Sequence, residues 1–423
     1  MQPGRFLTRS LQDWRIARIL DRALLAVDPE MLVTEQLKHR SLPPHHRLYL
    51  LGVGKASEAM TRGAANTLGR FASGLLVTKE SAGPLHPRIT VLTAGHPIPD
   101  ARSLAAGRAI LRFVSALQPD DLLICLISGG GSALASVPLD GTSLEDVQAL
   151  TSSALASGGT IEDVNILRRQ LDQLKGGGLA QATQASILSL ILSDVLGDRV
   201  EVVASGPTVP TPTGPQQARD VLAKLGIEAP PAMDHALEAP RPVRSSSLES
   251  RVDNVVIGNV LLAARGAVLQ AQKEGFAADL LDTQIQGEAK LVGRALAGQL
   301  VEQGRDRPRP FCLVAAGETT VTLATQGLGG RNQELALSAV EVLDGSRNCM
   351  LVALATDGND GPTNAAGAVV TSETQARATA VGLSSQDYLA RHDSYRFFEP
   401  LGDLLMPGYT GTNVNDLMLL IGL

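Results

Sequence analysis

Aromatic residues are scarce: phenylalanine, tyrosine and tryptophan make up 3% of the 423 residues. A surface that stacks the bases of a single-stranded nucleic acid needs such rings, so that function loses support. A basic stripe is missing as well. The formal net charge of −6 argues against a polyanionic partner, and no nucleic acid is expected. No apolar stretch approaches the ~20 residues a membrane-spanning helix requires, so no membrane partner is expected either. Cysteine occurs only at Cys125, Cys312 and Cys349, each in or beside an apolar strand-like run. An odd count without a CxxC pair argues against a disulfide framework or a zinc site, and buried free thiols are expected.

What is present is enough for a large core. Hydrophobic residues are 44% and charged residues 19% of the chain, which argues against wholesale disorder, and the length suggests two or more domains. The first twenty residues carry several arginines, as a transit peptide would, but Asp13 and Asp21 count against one. Leu7, Leu11, Trp14, Ile16, Ala17 and Leu20 fit the apolar face of an ordinary first helix, and a cytoplasmic protein is expected.

Strand and helix patterns then alternate. Strand candidates lie at 47–53, 74–78, 89–93, 122–127 and 187–192, with helices from about Lys55 to Leu68, after Asp100 as N-cap, and near 143–157 and 162–173. Such alternation implies parallel strands joined by crossover helices. Proline is dense at 207–215 and 230–242, and the second stretch runs into Arg244-Ser245-Ser246-Ser247. The expected domains are therefore 1–245 and 246–423. The second half offers strands at 254–258, 311–316, 319–324, 350–355 and 417–423, an unassigned segment at 277–285, and helices at 260–274, at 288–303 and from Asn332. The fold class is α/β.

Six strand-end loops hold the chemistry, and ligands of parallel sheets sit at the carboxyl ends of strands. Gly52-Val53-Gly54-Lys55-Ala56-Ser57 misses both common phosphate-loop patterns, yet it places Lys55 at a strand-to-helix turn where an anion could be held. Ser128-Gly129-Gly130-Gly131-Ser132 follows a buried strand, and its glycines let backbone amides crowd an anion. Arg168 and Lys175 lie on nearly the same face of one predicted helix, which the glycines at 176–178 would end. They make either an anion clamp or a solvated basic face. Asp194 follows a strand and suits a general base or a metal ligand. Gly329-Gly330-Arg331-Asn332 sets a forked cation at a helix start, with Asn332 as a further binding candidate and Glu318 in the turn between two strands. Asp357 and Asp360 in TDGNDGPT resemble hard oxygen ligands of a Mg²⁺ loop, although acidic turns are common. His96, in Gly95-His96-Pro97, reads as a structural turn histidine.

The ordered set GVGKAS, AGHPIPD, ISGGGSAL, NILRRQLDQLKGGGLA, LSDVLGDRVEVVASGPT, GGRNQELAL, ATDGNDGPTNAAGA and GTNVNDL resembles the class II glycerate kinases, from about residue 10 to the C-terminus. Each motif alone is weak; together, in this order, they are specific. The resemblance implies two domains: an N-terminal Rossmann-like parallel sheet flanked by helices, and a smaller C-terminal MOFRL-like α/β domain with a mixed sheet. It implies phosphorylation of D-glycerate by ATP with Mg²⁺, usually at the 2-hydroxyl, in a cleft between the domains. The matching catalytic positions are Lys55, Asp194 and Arg331, and a homodimer is a candidate assembly. Asp172 departs from the small hydroxyl residue expected before the lysine. Two other readings are an NAD(P)H-dependent hydroxypyruvate reductase, a label the family also carries, and a non-catalytic binder of small acidic metabolites. The reductase would need a dinucleotide loop and a histidine acid, which the chain does not offer convincingly.

Overall fold

The computed structural model describes residues 2–81, 83–210, 214–240, 248, 250–323, 325 and 327–423. Two compact units divide the chain: Pro29–Ile257, and a second assembled from Met1–Asp28 with Gly258–Leu423.

The Pro29–Ile257 unit is built on a six-stranded sheet. Its strands are β1 (Leu48–Val53), β2 (Ser73–Thr78), β3 (Ile89–Thr93), β4 (Leu122–Ser128), β5 (Ser186–Leu192) and β6 (Val252–Gly258). Their order is β3-β2-β1-β4-β5-β6, and the pairs from β3 through β5 are parallel. Every residue of β4 is buried. A parallel strand covered by helices on both faces cannot alternate polar and apolar residues, which is why the sequence here is an unbroken apolar run. Asp100 caps the Ala101–Ser115 helix in a reciprocal box with Ser103, as its sequence position suggested. Between β4 and β5 the helices Leu144–Ala156 and Ile161–Gln170 join Pro215–Leu225 in a separate small core. The chain steps outward from β1 to β3, then returns to lay β4 on the other side of β1. In open α/β sheets the crevice at such a reversal is where ligands bind.

The other unit carries β7 (Ala277–Glu288), β8 (Phe311–Thr320), β9 (Cys349–Ala355), β10 (Gly367–Thr371), β11 (Leu404–Leu405) and β12 (Asp416–Gly422), in the order β11-β10-β9-β12-β8-β7. β12 is antiparallel to both β8 and β9, and β7 is parallel to β8, so the sheet is mixed. The apolar C-terminal run is thus a central strand. The strands expected at 311–316 and 319–324 are corrected: one strand, β8, runs through Gly317 and Glu318 to Thr320. A Cβ at Gly317 would lie 2.0 Å from the Ile285 carbonyl oxygen, so the glycine permits close pairing with β7 rather than a turn.

The expected boundary at 245/246 lies outside the described residues. The compact units part instead at Ile257/Gly258, because β6 adds to the first sheet beside β5. The first helix, Trp14–Leu25, belongs with the C-terminal unit, where it packs on the Val260–Lys273 helix. Gly266 permits the approach, since a Cβ there would meet Ala26 Cβ at 2.7 Å. All three cysteines are buried and free. Among the described residues no helix is long and apolar enough to cross a membrane.

Asp403 ties the N-terminal segment down. Its fully buried carboxylate accepts from Thr8 Oγ1 at 3.1 Å, the Ser10 amide at 2.8 Å, Ser10 Oγ at 2.9 Å and Arg377 at 2.7 Å. Removing one partner of a buried charge pair leaves the other uncompensated. Asp403→Ala is therefore expected to lower the unfolding free energy by about 3–5 kcal/mol, measured by denaturant titration; a loss below about 1 kcal/mol would contradict this role.

Candidate active site

The carboxyl ends of β1, β4 and β5 lie side by side, and their loops lock together. The Lys55 amide donates to the Gly129 carbonyl at 2.9 Å, and the Ala56 amide donates to Ser128 Oγ at 3.0 Å. Ser57 Oγ donates to the Gly54 carbonyl at 2.7 Å. Gly54 has φ +134° and lies against Ser128, where a Cβ would come within 2.2 Å of Oγ. No other residue type fits both that backbone and that space. Ser128 is fully buried and acts as the staple between the two loops.

Asp194, at the end of β5, rests on Gly129. A Cβ on that glycine would lie 1.7 Å from Asp194 Oδ2. The next glycine, Gly130, has φ +82°, and a Cβ there would meet the His96 ring at 3.0 Å and Lys55 Cγ at 3.1 Å. Gly131 packs on Ala204, whose backbone is left-handed at φ 51°. Ser132 Oγ accepts from Ser205 Oγ at 3.0 Å. Three sequence-predicted groups are thus gathered: Lys55, the 129–132 loop and Asp194. His96, read as a turn residue, joins them. Burial, then the charges of Lys55 and Lys79, push its pKa down to about 4, so the ring is neutral at physiological pH.

Lys175 does not belong to this group. The helix bearing Arg168 ends at Gln170, so the two cations share no helix face. Lys175 is 3% exposed, and its Nζ sits 2.6 Å from Asp172 Oδ2 and 3.2 Å from Ser136 Oγ. Asp172 also accepts from the Ser136 hydroxyl and the Val137 and Leu174 amides. The departure noted at Asp172 is therefore the counter-charge of a buried lysine, and the anion-clamp reading of Lys175 is corrected. Arg168 has no ion pair or hydrogen bond among the described residues, and burial lowers its pKa.

The C-terminal unit holds the remaining candidates. Arg331 opens the Arg331–Leu343 helix, and its Nε lies 2.6 Å from Asp416 Oδ2 while one terminal nitrogen lies 2.6 Å from Glu318 Oε1. Burial acts to lower the Arg331 pKa, but Asp416 and Glu318 override it and hold it above the ordinary arginine value. Burial pushes Asp416 up to about 7 against the pull of Arg331. Asp416, at the start of β12, lies in the GTNVNDL motif, but its pairing could not be read locally because its partner is 85 residues away.

Asp360 is placed differently from the metal-loop reading. It is buried, and its two oxygens accept from the Asn332 amide at 3.1 Å and the Gln333 amide at 2.8 Å. It caps the Arg331–Leu343 helix across the chain, in the way an N-terminal carboxylate satisfies amides that lack a helical partner. Gly330 makes room, since a Cβ there would meet Asp360 Cγ at 2.3 Å. Asn332 is fully buried, and its side-chain amide nitrogen donates to Asp360 Oδ1 at 3.3 Å. Asp357 is half-buried, and its Oδ1 accepts from the Asn359 amide at 3.1 Å. Among the described residues no group of three acidic, histidine or cysteine side chains could hold a metal ion.

A domain of unknown function, DUF4147, matches residues 15–238, and the MOFRL family matches residues 311–416. A D-glycerate 2-kinase from Thermotoga maritima is 40% identical over 95% of this chain and 96% of its own. A relative from Agrobacterium vitis, 37% identical over 96% of this chain and 94% of its own, carries the provisional name hydroxypyruvate reductase. A crystal structure of glycerate kinase from T. maritima superposes with a TM-score of 0.87, at 39% identity over 96% of this chain and 98% of that one.

The depressed His96 value fixes the sign of a stability effect. Between about pH 4 and 6.5 the unfolded chain binds a proton that the folded chain refuses. The neutral ring's contribution is therefore full above about pH 6.5 and is lost as the pH falls toward 4. The stability difference between wild type and His96→Gln should shift against wild type from pH 7 to pH 4.5 in denaturant titrations. A difference independent of pH would contradict the burial of a neutral ring.

Proposed function

The chain belongs to the class II glycerate kinase family, and from that premise we propose that it transfers the terminal phosphoryl group of ATP to the 2-hydroxyl of D-glycerate. The observation that carries this reading is that Asp194 packs on Gly129 and the Lys55 stem on the adjacent Gly130, at the reversal of strand order between β1 and β4. Phosphoryl transfer needs little covalent help from a protein. It needs reactants held in line and charge neutralised. Lys55 stabilises phosphate charge, and the 129–132 loop holds an anionic oxygen. Asp194 accepts the proton of the substrate hydroxyl as that oxygen bonds to the γ-phosphorus. The bond from that phosphorus to the ADP oxygen breaks in the same transfer, leaving ADP with the electron pair.

Arg331 contributes to anion binding through the guanidinium hydrogens not engaged by Asp416 and Glu318. Arg168 supplies a second cation for an anionic group, and Asp357 meets solvent or the nucleotide's metal. Magnesium, held on the nucleotide's phosphates, would neutralise their charge, and the oxygens of Asp360 are committed to a helix rather than open to it. Mg²⁺ commonly keeps waters and phosphate oxygens with only one or two carboxylates. A cytoplasmic location accords with the free, buried thiols. The reductase reading has less behind it: Ser57 stands where a dinucleotide loop needs its third glycine.

The test is ATP consumption by the purified chain with and without D-glycerate. Lys55→Ala should lower turnover by ~10²–10³-fold while the melting temperature stays close to wild type. Gly129→Ala should do similar damage, because the added methyl must displace the Asp194 carboxylate. Wild-type turnover in Lys55→Ala, or no dependence on D-glycerate, would sink the proposal.

A further inference from the structure

His96 stands out from the other side chains of the crevice. Its ring lies against Gly130, with Nε2 and Cδ2 both 3.0 Å from where a Cβ would be, and the Lys55 stem crosses the same spot. Among the described residues it makes no hydrogen bond through either nitrogen. It is only half-buried, so part of it remains accessible. The backbone beneath it is anchored: Gly95 lies against Asp100, where a Cβ would come 2.7 Å from the carboxyl carbon, and Asp100 is itself the N-cap of the following helix.

A surface turn histidine would be solvated, and a packing histidine would have its polar atoms satisfied. This ring packs on Gly130 and the Lys55 stem while neither nitrogen has a hydrogen-bond partner among the described residues. The charged groups that face it are Lys55 and Lys79, both cationic. With burial they keep it uncharged, which makes it a poor partner for a phosphate beside a lysine already suited to that task. An uncharged imidazole has one N–H donor and one bare nitrogen acceptor, a match for an alcohol, which also donates once and accepts. If Asp194 takes the reacting hydroxyl, the other hydroxyl of glycerate needs a partner.

Resting on the kinase reading above, we propose that His96 is a substrate-contacting, specificity-determining residue that hydrogen-bonds the non-reacting hydroxyl of D-glycerate held over the Gly129–Gly131 loop. A site built around such a bond disfavours the analogue that lacks the hydroxyl, because its own polar atoms are left unpaired. D-lactate is that analogue: the same acid and 2-hydroxyl, with a methyl in place of the hydroxymethyl group.

The experiment compares wild type, His96→Phe and His96→Gln, with D-glycerate as substrate and D-lactate as competitor. His96→Phe should lower kcat/KM for D-glycerate by ~10–100-fold, mostly through KM. The inhibition constant of D-lactate should move less than about 3-fold. His96→Gln, whose amide can reach the Nε2 position, should recover most of the loss. Unchanged D-glycerate kinetics in His96→Phe would overturn the proposal. So would equal weakening of D-glycerate and D-lactate, or equal loss in the Phe and Gln variants, since each marks a structural role. If the phenylalanine variant fails to fold by circular dichroism, His96→Ala carries the same comparison. Failure of wild type itself to use D-glycerate would count against the kinase reading, whereas an active wild type with an indifferent His96 counts against this inference alone.

Discussion

The missing side chain at Gly129 is the constraint on which the crevice depends. With a Cβ only 1.7 Å from Asp194 Oδ2, no other residue could leave that carboxylate where it is. The same glycine's carbonyl receives the Lys55 amide. One residue at the end of the central strand β4 therefore sets the spacing between a cation from β1 and a carboxylate from β5. The neighbours extend the device: Gly54 admits Ser128, and Gly130 admits the His96 ring. Three adjacent parallel strands bring these loops together without any long-range adjustment, because their registers are fixed by ladders of buried apolar residues.

The C-terminal unit uses the same close approach for another purpose. Gly330 lets Asp360 reach the start of the Arg331–Leu343 helix, but there the carboxylate is buried and its oxygens are bonded to amides. Asp194 is half-exposed over its glycine, whereas Asp360 is buried. Burial of a charge requires compensation. Asp360 finds it in a helix N-terminus, Lys175 finds it in Asp172, and Asp416 finds it in Arg331.

Much of this was legible in the sequence, for local reasons. The run into Ser128 marked β4, the glycines after it marked the loop, and the capping residue Asp100 marked its helix. What could not be read depended on partners distant along the chain. Asp172 looked like a departure until Lys175 was seen against it in the interior. Asp360 looked like a metal ligand because its amide partners lie 27 and 28 residues away. β10 and β11 are too short to show a periodicity, and β11 has only two residues. The N-terminal segment and first helix join the C-terminal unit through Asp403 and Gly266 respectively, contacts that no local pattern announces. His96 read as a turn residue because what it packs against, Gly130 and Lys55, is distant along the chain.

The central claim is that the chemistry takes place over the Gly129–Gly131 backbone at the β1/β4 reversal. The most direct measurement is a crystal structure with D-glycerate and a non-hydrolysable ATP analogue bound together. The account predicts an anionic oxygen within hydrogen-bond reach of the 129–132 backbone and Lys55 Nζ, with a glycerate hydroxyl facing Asp194. Both ligands ordered elsewhere, touching neither Lys55 nor Asp194, would contradict it.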